Sequence, residues 1–281
     1  MNNEIRLTNV SFGYTKNEFI LQDFNYTFKP KNIYGIIGLS GSGKSTFCKL
    51  LANLMLPTSG QLLYFDEVTI NNQRKCKKLY YQLNSKIGYV MQFCEKQLLG
   101  NSVVEEVLIG YENFHGKNPD NKALSISWLR KLNFDESLID QNVFAISQGQ
   151  QRKVALASLL ILNQPVLIFD EPTVGLDYET KNALTKIIKE LSTQDKIIII
   201  VSHDFDWLYS LCSNCLWLDQ HQIKYQASCP SFFFNHELAI RFNHLPFMVN
   251  LINEYEQQTN TLIDKTKYLT LDDFLQDHHL H

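Results

Sequence analysis

Short bursts of alternating apolar positions open the chain: Ile5, Leu7, Val10 and Phe12, then Phe24, Tyr26 and Phe28. A period of two over residues 3–28 predicts antiparallel strands with one buried face. Residues 33–37 form an apolar, β-branched-rich run, the pattern of a strand buried on both faces. A glycine-rich turn follows, then helical periodicity over 44–56. Pro57-Thr58-Ser59-Gly60 predicts a turn and 61–65 another short strand. Residues 71–86, polar and lysine-rich, predict a surface loop or short helix, and 87–91 a strand. From about 100 to 160 the pattern turns helical, over 103–109, 122–132 and 148–162, with Pro165 as the stop. Residues 166–169 predict a buried strand that ends in two acids, 178–191 a helix, and 197–201 a second fully buried strand. Strand, helix and strand in that order predict parallel βαβ units. Residues 216–218 and 222–225 predict a closing hairpin. Cys229-Pro230 marks a boundary, and 231–281 beyond it, richer in aromatics and histidine, carry no parallel-strand signal.

Composition narrows the class. At about 150 residues per domain, 281 residues predict two domains, or one large domain with an appendage. Hydrophobic residues at 44% and charged residues at 20% allow a sizeable core and exclude wholesale disorder. A net charge of −3 provides no basic field to attract nucleic acid. Six cysteines are too sparse for a disulfide scaffold. The most apolar run, 154–169, is broken by Asn163, Gln164 and Pro165, whereas a membrane span needs about 20 uninterrupted residues. The opening residues MNNEIRLTNV lack a basic-then-apolar signal pattern. The expectation is a soluble cytoplasmic chain, which leaves room for a peripheral role beside a membrane protein.

Gly38-Leu39-Ser40-Gly41-Ser42-Gly43-Lys44-Ser45 matches the phosphate-binding pattern G-x-x-x-x-G-K-[ST]. Its glycines let successive backbone N–H groups face one anion, and the following helix adds its positive end. Lys44 is expected to reach the β- and γ-phosphates and Ser45 to ligate Mg²⁺. The bland alternative is a Gly/Ser turn with an exposed lysine; at average composition a chance match is on the order of 1% or less. Leu167-Ile168-Phe169-Asp170-Glu171 supplies acids at the carboxyl end of a buried strand, beside the ligand crevice of an α/β sheet. Asp170 is expected to hold Mg²⁺ and Glu171 to polarise the attacking water as general base.

Several separated segments together resemble the ATP-binding-cassette (ABC) ATPases. Ser147-Gln148-Gly149-Gln150-Gln151 is similar to the signature motif L-S-G-G-Q, with Ile146 for Leu and Gln148 for the first Gly. By itself this is a helix cap, a common feature; its weight comes from its distance ahead of Asp170, where the family puts it. Gln92 resembles the Q-loop glutamine, which senses Mg²⁺ and water. Gly175-Leu176-Asp177 resembles the D-loop, which crosses to the partner subunit. His203, in Val201-Ser202-His203-Asp204, resembles the switch histidine on the γ-phosphate, although a lone histidine is ordinarily a structural one. Tyr14 stands where the family places an aromatic that stacks on adenine, although a tyrosine in a strand is ordinarily packing. The resemblance implies that Tyr14, Gly38, Ser40, Gly41, Ser42, Gly43, Lys44, Ser45 and Thr46 bind nucleotide. It implies Glu171, His203 and Gln92 as catalytic groups, and Ser45, Gln92 and Asp170 as the Mg²⁺ set. Ser147, Gly149, Gln150 and Asp177 act in trans across a dimer, so hydrolysis of Mg-ATP requires two ATPases.

The resemblance implies an α/β fold: a P-loop NTPase cassette with a RecA-like mixed-sheet core, an antiparallel β subdomain and a helical subdomain over about 93–160. This cassette occupies 1–228, and a small C-terminal domain, a candidate for dimerisation, occupies 229–281. Gln97-Leu98, Ser102-Val103-Val104-Glu105-Glu106-Val107 and Phe144-Ala145-Ile146-Ser147 are similar to energy-coupling factor (ECF) transporter ATPases, with Val143 where proline is usual. The implied partners are a second ATPase, identical or homologous, a transmembrane coupling protein, and a membrane protein that captures a vitamin or transition-metal ion; nucleic acid is not among them. The implied place is the cytoplasmic face of the membrane, peripheral. The surface near 97–106 would receive the coupling protein. Glu105 and Glu106 read equally well as solvated helix residues or as acids that meet its arginines, in which case reversing both weakens assembly. In the tail, Phe232 to Phe234, Phe247 and residues 271–274 are expected to pack. The competing class is an ATPase of another ABC system, including a soluble non-transport protein. Cys212-x-x-Cys215 lacks a second ligand pair and reads as packing; Arg74-Lys75-Cys76-Lys77-Lys78 reads as a solvated face, and His278, His279 and His281 as a terminal tail.

Overall fold

The computed structural model describes residues 3–15, 18–66, 68–70 and 82–278. Its first half runs β1 (Ile5–Phe12), β2 (Leu21–Phe28), β3 (Asn32–Ile37), α1 (Lys44–Leu51), β4 (Ser59–Tyr64), β5 (Val68–Ile70) and β6 (Ile87–Val90). Helices α2 (Val103–His115), α3 (Asn121–Lys131) and α4 (Gln148–Leu160) follow. Then come β7 (Val166–Asp170), α5 (Tyr178–Ser192), β8 (Ile197–Val201), α6 (Phe205–Leu211), β9 (Asn214–Asp219) and β10 (Gln222–Ser228). The tail is helical: α7 (Cys229–Phe233), α8 (His236–Phe242), α9 (Phe247–Thr259) and α10 (Leu271–His278). The basic segment Arg74 to Lys78, and His279 and His281, lie outside the described residues.

Two sheets form. The smaller is antiparallel, in the order β2-β1-β4-β5. The larger has the order β10-β9-β3-β8-β7-β6, with β9, β3, β8, β7 and β6 parallel and β10 closing the edge as an antiparallel hairpin with β9. The alternation of side chains divides the larger sheet's contacts between two cores. Ile197, Ile199 and Val201 face the smaller sheet and α1, where Phe24, Phe28 and Phe47 pack. Ile198 and Ile200 face the opposite side, with Val154 of α4, Leu184 of α5 and Leu208 of α6. Residues buried on both sides of a sheet must all be apolar, which is why the central strands read as continuous runs rather than alternating ones.

Two elements differ from expectation. The helix expected over 44–56 stops at Leu51. Asn53 takes a left-handed conformation (φ 60°), and Leu54 N–H bonds back to the Lys49 carbonyl at 2.9 Å, a closure that ends a helix before its periodicity does. In the tail, Phe232, Phe233 and Phe274 are buried as expected, but Phe247 and Leu271 are 56% and 40% exposed. Helix α9 turns Met248, Val249 and Ile252 inward, so Phe247 falls outside that stripe. Leu271 opens α10, a turn ahead of the buried Phe274.

The tail shares its core with the helices before it. Phe233 lies 5.5 Å from Phe205, Phe242 lies 5.8 Å from Trp217, and the Tyr209 hydroxyl donates to the Tyr268 carbonyl at 2.7 Å. Truncating Phe232, fully buried in this shared core, is therefore expected to destabilise the whole chain. Phe232→Ala should lose about 3–5 kcal/mol of unfolding free energy in urea titration; a loss confined to the tail, with the far-ultraviolet transition of the remainder unmoved, would contradict the shared core.

Candidate functional site

The carboxyl ends of β3, β6, β7 and β8 lie along one edge of the larger sheet, and the loops leaving them make a crevice of about 340 Å³. Tyr14, Ser40, Gly41, Gly43, Lys44, Ser45, Thr46, Gln92, Asp170, Glu171 and His203 line it. Gly38 and Ser42 sit behind them in the same loop. Gly41 and Gly43 have φ of 82° and 94°, values open to glycine, and Gly43 caps α1 so that its first amides point at the crevice. The Lys44 ammonium lies back on its own loop, donating to the carbonyls of Gly38 (2.7 Å) and Leu39 (3.0 Å). Burial pushes its pKa down, while Glu171 and Asp170 push it up. Ser42 Oγ is buried without a hydrogen-bond partner among the described residues. Tyr14, largely exposed at the mouth, meets Thr46 Oγ1 at 3.3 Å and stands edge-on to Phe12. Ile20, which sequence reasoning passed over, closes the wall behind Gly43.

Asp170 ends β7 and is buried, its carboxylate accepting from the Tyr89 hydroxyl at 3.2 Å. Glu171 follows with φ 52°, a region that costs a residue bearing a Cβ about 1–2 kcal/mol and persists only when its surroundings impose it. Its N–H donates to the Val201 carbonyl at 2.9 Å. Burial raises its carboxyl pKa to about 7, against a lowering contact from the His203 N–H. His203 Nε2 lies 3.5 Å from Glu171 Oε1, and that oxygen is buried without a hydrogen-bond partner among the described residues. Burial, and then Lys44, lower the His203 pKa, which favours the neutral imidazole. Chemically, the crevice combines anion-facing amides, a buried cation, hard oxygen donors and a carboxylate whose affinity for a proton suits it to receive one from water.

Two further residues complete this shell. Tyr89 holds Asp170, and Arg152 on α4 donates Nη1 to the Glu171 carbonyl (2.5 Å) and Nη2 to the Gln92 carbonyl (2.6 Å). Neither sat in a motif; the one available signal was a cation immediately ahead of an apolar helical run.

Ser147, Gly149, Gln150 and Asp177 gather at a different place and do not line the crevice. Ser147 caps α4 in a reciprocal box with Gln150, whose Oε1 accepts from Ser147 N at 3.0 Å. A Cβ on Gly149 would stand 2.8 Å from the Gly175 carbonyl, so the two loops touch through backbone. Asp177 caps α5 through Thr180 N (2.7 Å) and pairs with Lys153 of α4 at 3.0 Å; these contacts hold its pKa down to about 2. Cys212 and Cys215 are buried beside Cys229, and burial raises their thiol pKa values, the behaviour of packed rather than reactive thiols.

The expectation for the paired acids is corrected in part. Glu106 is 8% exposed and accepts from the N–H groups of Leu99 and Gly100, both at 2.6 Å. Two backbone amides without strand or helix partners claim that oxygen, so it braces the loop and does not stand free for a partner's arginine. Glu105 is exposed, and its carboxylate accepts from the Asn101 N–H at 2.9 Å. Gln97 performs a similar task, bonding Met91 N (2.8 Å) and the Tyr89 carbonyl (3.0 Å). Beside this loop lies a groove of about 290 Å³ whose walls include Gln97, Ile109, Phe114 and Leu159.

The ABC transporter family profile matches residues 21–174. Energy-coupling factor transporter ATP-binding protein EcfA2 of Staphylococcus aureus is 33% identical over 263 residues, covering 92% of this chain and 91% of that protein. EcfA2 of Staphylococcus saprophyticus is 33% identical over 278 residues, 96% of each chain. Among solved structures, cbiO1 of Clostridium perfringens, described as part of the ABC transporter complex cbiONQ, superposes with a TM-score of 0.71 at 26% identity, over 93% of this chain and all of that one. A dimeric ATP-binding cassette in a post-hydrolysis state, bound to ADP and Pi, superposes with a TM-score of 0.72 at 25% identity, over 80% of this chain and 98% of that one.

The two adjacent acids should behave differently under substitution. Glu106→Ala strands two amides and should lower unfolding free energy by about 2–3 kcal/mol. Glu105→Ala should cost no more than about 1 kcal/mol. Urea titration of the pair checks this, and equal losses would contradict the bracing role.

Proposed function

The chain belongs to the ABC transporter ATPases, in the energy-coupling factor group, and on that premise we propose how its crevice and surfaces divide the work of uptake. It is an ATP hydrolase that energises an importer. The observation carrying the site assignment is the convergence of phosphate-loop amides, Lys44, Ser45, Gln92, Asp170, Glu171 and His203 on one crevice. The phosphate-loop amides and α1's first turn bind the β- and γ-phosphates, and Lys44 leaves its loop carbonyls to join them. Tyr14 at the mouth stacks on adenine, and Thr46 beside it completes the nucleotide contacts. The oxygen donors of Ser45, Gln92 and Asp170 suit Mg²⁺, which, when bound, offsets phosphate charge. Glu171 takes the proton of the attacking water, and His203 donates to the γ-phosphate region.

Ser147, Gly149, Gln150 and Asp177 serve the crevice of a second ATPase, identical or homologous, so that two chains complete two sites. The tail over 229–281 contributes to that pairing. No helix among the described residues is long and apolar enough to cross a membrane. We place the chain at the cytoplasmic face, beneath a transmembrane coupling protein that works with a vitamin- or metal-capturing membrane protein, with the 97–106 loop and its groove as the contact. In that contact Glu105, the exposed acid of the two, is the one that meets a partner's arginine.

Glu171→Gln should keep ATP binding and lose turnover about 100-fold or more. Sedimentation with ATP and Mg²⁺ should then show a stalled dimer, whereas turnover at the parental rate would remove Glu171 from the role of base. Detergent pull-down of the full chain should recover a multispan protein and an ATPase partner. Glu105→Lys should weaken that recovery without changing ATP affinity, and recovery of soluble proteins alone would contradict the transport assignment.

A further inference from the structure

We propose that Arg152 is a positioning residue for hydrolysis: its guanidinium holds the backbone of the catalytic base in the conformation that aims it, and ties that backbone to the Q-loop. The inference rests on the assignment of Glu171 as base. Arg152 is 7% exposed and stands on α4, just beyond the capping turn of Ser147. Its two terminal nitrogens donate to two carbonyls from different segments, Glu171 O at 2.5 Å and Gln92 O at 2.6 Å. The rigid planar fork fixes the angle between those donors, so the two carbonyls are fixed relative to each other. Both belong to residues whose side chains line the crevice.

Glu171 needs such a restraint. Its φ of 52° lies in the left-handed region, which a non-glycine residue leaves unless held there. The amide side is held by the bond to Val201 O at 2.9 Å. On the carbonyl side the bond comes from Arg152. Without it the Glu171 backbone can relax out of the left-handed region by a change in φ, and Cβ, hence the carboxylate, turns about the N–Cα bond with that change. Packing alone does not explain the residue. No ion pair to Arg152 occurs among the described residues, and a buried cation of this kind carries a desolvation penalty that an apolar side chain of similar volume would not. The neighbouring Lys153 grips Asp177 at 3.0 Å, so one turn of α4 holds both the base and the loop after it. A shift of α4 therefore moves the carbonyls of Glu171 and Gln92 together.

The test uses the full chain in its purified transporter complex, with Arg152→Met, Arg152→Lys, Glu171→Gln and the double variant Arg152→Met/Glu171→Gln. Arg152→Met should lower kcat about 10- to 100-fold, the penalty of a misaimed group, with KM for ATP within about threefold. Arg152→Lys, which restores one of the two bonds, should recover part of kcat. In the Glu171→Gln background, Arg152→Met should cost nothing further, because a positioning residue has no effect once its target is gone. Unchanged kcat in Arg152→Met, a parallel rise in KM, no recovery by lysine, or an additive loss in the double variant would each overturn the proposal. Parental turnover in Glu171→Gln would overturn the assignment of the base, and this inference with it. Turnover lost in Glu171→Gln but kept in Arg152→Met would overturn this inference alone.

Discussion

Val201 is paired on both sides, with Ile36 of β3 and with Asp170 of β7, and that shared level brings the ends of three parallel strands to one edge. A chain leaving a parallel strand for another parallel strand must cross over before it returns, and the loops after β3, β6, β7 and β8 all face one crevice. The phosphate loop follows β3, the two acids close β7, and the histidine loop follows β8. None of these segments carries a complete chemistry alone. Their approach is a consequence of strand register, and the register is enforced by burial on both faces: a slip of one residue would exchange the side chains in contact with α1 for those in contact with α4.

Burial then sets the electrostatics. Lys44, Asp170 and Glu171 lie at the end of an apolar sheet, where a charge is poorly solvated. The lysine is held by loop carbonyls, the aspartate by Tyr89, and the glutamate's free oxygen by nothing among the described residues. That inequality separates two adjacent carboxylates by environment: one bonded and suited to a cation, the other raised toward neutrality and suited to accept a proton. Glu171 also carries backbone strain, which the surrounding bonds from Arg152 and to Val201 hold in place.

The outer surfaces follow a different logic. Signature-loop side chains cap their own helix, and Asp177 caps the next, so these loops are rigid before any partner arrives. Rigid presentation lowers the entropy lost on pairing. The 97–106 loop is stiffened in the same way by Gln97, Glu105 and Glu106, with Glu105 and Leu99 exposed on its outer side. A carboxylate that looks like a docking charge in one dimension can be an internal brace in three.

Local chemistry wrote much of this protein legibly. The spacing of Gly38 to Ser45, the apolar run into Asp170-Glu171 and the alternation in the early strands each depend on neighbours within a few residues, and each predicted its element. Helix ends were less legible, since Asn53 closes α1 by a conformation that hydropathy does not register. The tail's inward face was half legible: Phe232 and Phe274 pack, while Phe247 turns out because Met248, Val249 and Ile252 take the buried stripe. Glu106 and Arg152 were illegible, because their partners are backbone groups, in the turn ahead of its own helix for Glu106 and in two other loops for Arg152, and a backbone carbonyl or amide looks the same at every position of a sequence. By itself, then, the sequence determined which residues could bind phosphate, metal and proton. Tertiary structure decided which of them meet, which charges are buried, and which side chains hold the others in place, because those depend on distances between segments that only the packed sheet brings together.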